Sequence, residues 1–169
     1  FPEGFVYVPA NDFEAFARAA DDTVCAVMME MVQGEGGVVA LDPDFVHKVE
    51  ALCRERDILL VVDEVQTGVG RTGSLFCFQQ YGLTPDVCSF AKGIGGGLPL
   101  AGILAGEKTE LVLTPGTHAT TFGGNPVCCA GALSVLQQLD DAMLASVQAK
   151  GQYLREKIAA MPGVKEVRG

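Results

Sequence analysis

Positive charge is in short supply: twelve Lys and Arg stand against twenty-one Asp and Glu, a formal net charge of −9 over 169 residues. Such a chain repels phosphate backbones and anionic lipid surfaces, so nucleic acid and membranes are not expected partners. No apolar stretch reaches the ~18 residues needed to cross a bilayer, and no basic segment followed by an apolar one opens the chain. A cytoplasmic protein is the expectation. C-x-x-C pairs are missing too. The six cysteines are Cys25, Cys53, Cys77, Cys88, Cys128 and Cys129, and most sit in apolar strings such as "DVCSF", the pattern of buried thiols. Cys128 and Cys129 are adjacent, but neighbouring side chains on a helix diverge, and no second ligand cluster is there to complete a metal site. Internal repeats, low-complexity tracts and linkers are also lacking.

What is present is apolar: 49% of residues are hydrophobic and 20% charged, enough for one globular domain with a real core. The chain begins "FPEGF" without a methionine and ends "GVKEVRG", an alternating stub with no strand after it to pair with. A piece of something longer is expected. Four short apolar runs, "TVCAVMMEMV", "ILLVVDEV", "DVCSFA" and "LAGILAG", read as strands covered on both faces. Between the first two lies a helix: Asp42 can cap it, Pro43 fits its first turn, and Phe45, Val46, Val49, Leu52 and Cys53 share one face. Strand, helix, strand implies a parallel, right-handed crossover. "GGNPV" opens another helix with Asn125 as cap, and its small residues Ala130, Gly131 and Ala132 permit close packing. A last helix, about 141–161, carries Leu144, Val147, Leu154, Ile158 and Met161 at three-and-four spacing and ends at Pro162-Gly163.

The stretch "DEVQTGVGRTG" admits two readings. Gly68, Gly70 and Gly73 fit the glycine pattern of an NAD-binding Rossmann turn. That turn needs an approach free of negative charge and a helix directly after the glycines, whereas Asp63 and Glu64 stand before them and "SLFCFQQYG" lacks a helical apolar stripe. The acids are the better lead. Asp63 closes an apolar strand, and in open α/β sheets ligands sit outside the carboxyl ends of strands. A half-sheltered carboxylate there needs a cation or donor, either a working partner or a local arginine such as Arg71. Lys92 lies 29 residues on, in "SFAKGIGGG", where glycines leave space beside the amine. It is either a solvated lysine at a loop start or an amine placed to form a Schiff base. Lysine plus a strand-end aspartate is the pair a pyridoxal phosphate site demands, the amine holding the aldehyde and the acid holding the pyridinium proton. "HATTFGGNP" adds the hydroxyls of Thr120 and Thr121 beside glycine amides and a helix N-terminus, a niche suited to an anion or simply a turn.

Taken in order, "EMVQGEGGV", "LLVVDEVQTGVGRTG", "FAKGIGGGLPLAG" and "TTFGGNPV" resemble the class III pyridoxal-phosphate aminotransferases, most closely the acetylornithine and ornithine-type enzymes. The resemblance implies an α/β fold, a mainly parallel sheet flanked by helices. Residues 1–169 would then be a segment of the large cofactor-binding domain, with the last helix leading toward a small domain that is absent. By the same resemblance Lys92 is the catalytic, Schiff-base lysine. Asp63, Glu64, Val65, Gln66 and Thr121 join it as cofactor-binding residues: Asp63 at the pyridinium, Val65 on a ring face, Gln66 toward the ring hydroxyl. Thr121 would bind the phosphate across a homodimer interface, with Thr120 beside it at the substrate. Glu35 resembles a gate acid at the substrate that pairs with an arginine beyond the end of this chain. The implied reaction moves an amino group from N-acetylornithine, or a similar ω-amino donor, to 2-oxoglutarate. Met31 departs from the family's "EPIQGEGG", where proline is usual. The family's phosphate loop, stacking aromatic and carboxylate-binding arginine have no counterpart, so an isolated, non-catalytic folding or dimerisation module is the alternative expectation.

Overall fold

Asp12 opens the first element of the chain by accepting the Ala15 N–H at 2.9 Å, which caps α1 (Phe13–Ala19). The computed structural model describes residues 3–169; Phe1 and Pro2 of "FPEGF" lie outside them. The strands follow as β1 (Ala26–Met29), β2 (Val32–Gln33), β3 (Val39–Ala40), β4 (Leu59–Asp63), β5 (Val87–Phe90) and β6 (Gly102–Ala105). The longer helices are α2 (Pro43–Glu55), α3 (Pro126–Gln138) and α4 (Asp141–Ala159). Each starts where capping chemistry directs. Asp42 accepts from Asp44 N–H, Asn125 from the N–H groups of Val127 and Cys128, and Asp140 from Met143 N–H.

The main sheet has the order β1-β4-β5-β6. β4 is parallel to both β1 and β5, with Asp63 opposite Ser89, and β6 returns antiparallel to β5. The four apolar runs are all strands, and the sheet is mainly parallel as expected. β2 and β3 form a separate antiparallel pair that periodicity did not mark, since two residues are too few to alternate. Gly102 sits opposite Phe90, and a Cβ there would meet the Phe90 ring at 2.6 Å, so only glycine lets the ring lie across the edge strand.

The core lies between α1, α2 and one face of the sheet. Met31, Val46, Val49 and Val62 are fully buried in it, joined by Phe45, Leu52, Cys53 and Leu60. The expected burial on both faces is not reached: β4 buries Leu60 and Val62 on one face and only half-buries Leu59 and Val61 on the other, Met28 of β1 remains 60% exposed and Ile103 of β6 51%. The last helix ends at Ala159, two residues before the expected limit and just ahead of Pro162-Gly163. None of its residues is buried, and Leu154, Ile158 and Met161 of its apolar stripe face solvent. "GVKEVRG" forms no strand.

Candidate active site

Three parallel strands deliver polar residues to the same edge. Glu30 directly follows β1, Asp63 is the last residue of β4, and Lys92 comes two residues after β5. With Glu35, Val65 and Gln66 they line a pocket of about 100 Å³. This is the position at which open parallel sheets place ligands, because the loops leaving adjacent strand ends diverge and open a crevice.

Asp63 is held by its neighbours rather than by a cation. Its Oδ1 accepts the Val65 N–H at 2.8 Å and the Ser89 hydroxyl at 3.1 Å, while Oδ2 carries no hydrogen bond among the described residues. Arg71, the local alternative partner, lines a different cavity together with Val69, Val135, Leu139 and Met143. Lys92 has φ +44, a left-handed conformation that is uncommon outside glycine and concentrates at functional sites. Its amine donates to Gln66 Oε1. The glycines around it leave the side chain exposed rather than crowded; Ile94 and Gly95 anchor the turn below by being buried.

Glu64, also expected among the cofactor-binding residues, is placed differently from Asp63. It is 0% exposed and absent from the pocket. Oε2 accepts the Thr67 hydroxyl at 2.6 Å and Cys77 N–H at 3.0 Å, and Oε1 accepts Phe78 N–H at 2.7 Å. The carboxylate thus fastens the glycine loop to the short 3-10 helix Cys77–Tyr81. That helix stands where a Rossmann fingerprint needs an α-helix, which removes the structural context of the NAD reading.

Thr120 and Thr121 are not brought to the pocket; both lie on an exposed segment leading to α3. Two groups escaped sequence reasoning, Glu30 of the pocket and Ser89, which donates to Asp63. Glu30 could have been found as a second acid directly after a strand. Ser89 could not, because its position opposite Asp63 depends on strand register. Burial, then the charges of Glu64 and Asp63, push the Cys88 thiol up to about 12, and burial pushes Cys77 up to about 11, which disfavours the thiolate in both.

The donor set suits a pyridine-aldehyde cofactor. An exposed amine, a carboxylate oxygen still open to accept an N–H, a branched apolar side chain and an amide line the same pocket.

The family model for class-III aminotransferases matches residues 7–169. Acetylornithine aminotransferase of Caldanaerobacter subterraneus subsp. tengcongensis is 48% identical over 171 residues, a match taking in 98% of this chain and 43% of the relative. The enzyme of the same name from Haemophilus ducreyi is 47% identical over 170 residues, with 100% and 43% covered. Among solved structures, N-acetylornithine aminotransferase from Stenotrophomonas maltophilia K279a has a TM-score of 0.88 at 38% identity, covering 100% of this chain and 45% of that one. Plasmodium falciparum ornithine delta-aminotransferase has a TM-score of 0.87 at 40% identity, covering 100% and 46%. The chain spans less than half the length of these relatives.

Proposed function

The chain belongs to the class-III aminotransferases, and from that premise we propose that it is a segment of the large domain of a pyridoxal-phosphate-dependent transaminase. The reading includes the donor, N-acetylornithine or a similar ω-amino compound, and the acceptor, 2-oxoglutarate. When bound, the cofactor supplies an aldehyde that captures amines and a ring that accepts electrons. Lys92 Nζ is the group that holds it covalently and that moves the proton at the donor carbon. Asp63 Oδ2 is the open acceptor for a ring N–H, and the Val65 and Ser89 donors on Oδ1 hold the carboxyl group in place. Val65 offers an apolar surface for a ring face, Gln66 an amide for the ring hydroxyl, and Glu35 an acid at the substrate mouth. Because Thr120 and Thr121 stand clear of the pocket, we read them as groups given to a neighbouring subunit of a homodimer, Thr121 at the phosphate. Cytoplasmic location goes with this reading; no helix among the described residues is long and apolar enough to cross a membrane.

The observation that carries the proposal is Lys92 and Asp63 in one pocket at the ends of adjacent parallel strands. Borohydride reduction of the full-length enzyme with pyridoxal phosphate, followed by peptide mass spectrometry, should find the pyridoxyl adduct on Lys92. An adduct confined to another lysine overturns the assignment. Asp63→Asn should lower kcat by ~10²-fold or more, as loss of an electrostatic stabiliser does, with cofactor still attached to Lys92.

A further inference from the structure

The Lys92 amine is aimed by Gln66, and Gln66 in turn has an unusual seat. A Cβ built on Gly34 would lie 2.9 Å from Gln66 Cγ, 3.3 Å from its Nε2 and 3.4 Å from its Cδ, so the amide side chain lies flat against the Gly34 backbone. Gly34 does not have a positive φ. Its backbone conformation would accept an alanine, and the visible reason for glycine is the space that Gln66 occupies. The turn around Gly34 is itself fastened: the Gly34 N–H donates to Glu30 Oε2 at 3.1 Å, and its carbonyl accepts from Gly37 N–H at 3.3 Å and Val38 N–H at 3.2 Å. An added methyl therefore meets a braced turn on one side and an exposed, rotatable Gln66 on the other, and Gln66 is the one that gives.

We propose that Gly34, seated by Glu30, is a positioning residue that sets the Gln66–Lys92 contact and so aims the working amine. The inference rests on the reading of Lys92 as that amine, but its first test needs no cofactor. Acetylation of the cofactor-free, full-length protein by an N-hydroxysuccinimide ester is followed by mass spectrometry, with Lys150 as internal reference. An amine tied to Gln66 reacts slowly. Gly34→Ala should release it and raise Lys92 labelling about fivefold, the equivalent of one ordinary hydrogen bond. Glu30→Ala should reproduce the rise, Glu30→Gln should spare it because the amide oxygen still accepts the Gly34 N–H, and Gly36→Ala should leave Lys92 unchanged, its Cβ meeting only Gln33.

The decisive comparison is a double-mutant cycle. With Gln66→Ala in place, Gly34→Ala should add less than about twofold, since the contact it acts through is gone. Unchanged labelling in Gly34→Ala, or an equal rise with and without Gln66, overturns the proposal. Should Gly34→Ala not fold, Glu30→Ala against Gln66→Ala carries the same cycle. Failure of borohydride to mark Lys92, with the labelling changes intact, would instead sink the cofactor reading and leave the positioning role standing.

Discussion

Glu64 is fully buried, and three donors hold its carboxyl group there. Glu64→Ala leaves the Cys77 and Phe78 N–H groups buried without acceptors, which should cost about 3 kcal/mol of stability. Urea denaturation checks this, and an unchanged midpoint would show that the fastening contributes nothing. Glu64→Gln should cost less, because one oxygen still serves Phe78 while the amide nitrogen confronts the Cys77 N–H. The contrast between Asp63 and Glu64 shows how far single residues are legible. Two neighbouring acids at a strand end look alike in composition, yet the alternation of a strand sends successive side chains to opposite faces, so both could not reach one pocket. That signal was available. The partners of each were not: Ser89 over Asp63 and Cys77 over Glu64 follow from register and from a turn that no periodicity encodes.

At the scale of elements, caps and apolar stripes placed α2, α3 and α4, while the short β2–β3 pair and the antiparallel return of β6 depended on pairing partners elsewhere in the chain. The small residues of α3 do permit close approach. A Cβ on Gly131 would lie 2.9 Å from Leu98 Cδ1 and 3.2 Å from the Gly95 carbonyl, so the helix rests directly on the 3-10 turn Lys92–Gly95. Glycine to alanine inside a helix ordinarily stabilises by about 1 kcal/mol. Gly151 of α4, with open space where its Cβ would stand, should show that gain. Gly131→Ala should instead lose stability, since the turn beneath it must shift. Thermal unfolding of the two variants compares them, and equal gains would mean that α3 does not bear on the turn.

Over the whole molecule, the surface is more apolar than one chain of this kind keeps to itself. Leu111, Val112 and Leu113 are exposed in sequence, and Phe122, beside the two threonines, is 83% exposed. A stripe in the sequence announces that a helix has an apolar face without saying what covers it, and in α4 no residue of that stripe is fully buried. Light scattering at rising concentration should find the chain self-associating, and a monomer at all concentrations would contradict that. The buried thiols give the molecule a pH limit of definite sign. Burial raises Cys53 and Cys77 from 9.0 to about 11 and Cys88 to about 12. In the unfolded chain these groups lose protons first, so their contribution to stability is full below about pH 9 and fades as pH rises toward 11–12. Urea midpoints should therefore fall between about pH 8 and about pH 10. Cys53→Ala should lower the midpoint at the lower pH and shrink the fall, because one titrating group has gone; a fall of undiminished size would assign the alkaline loss to other groups.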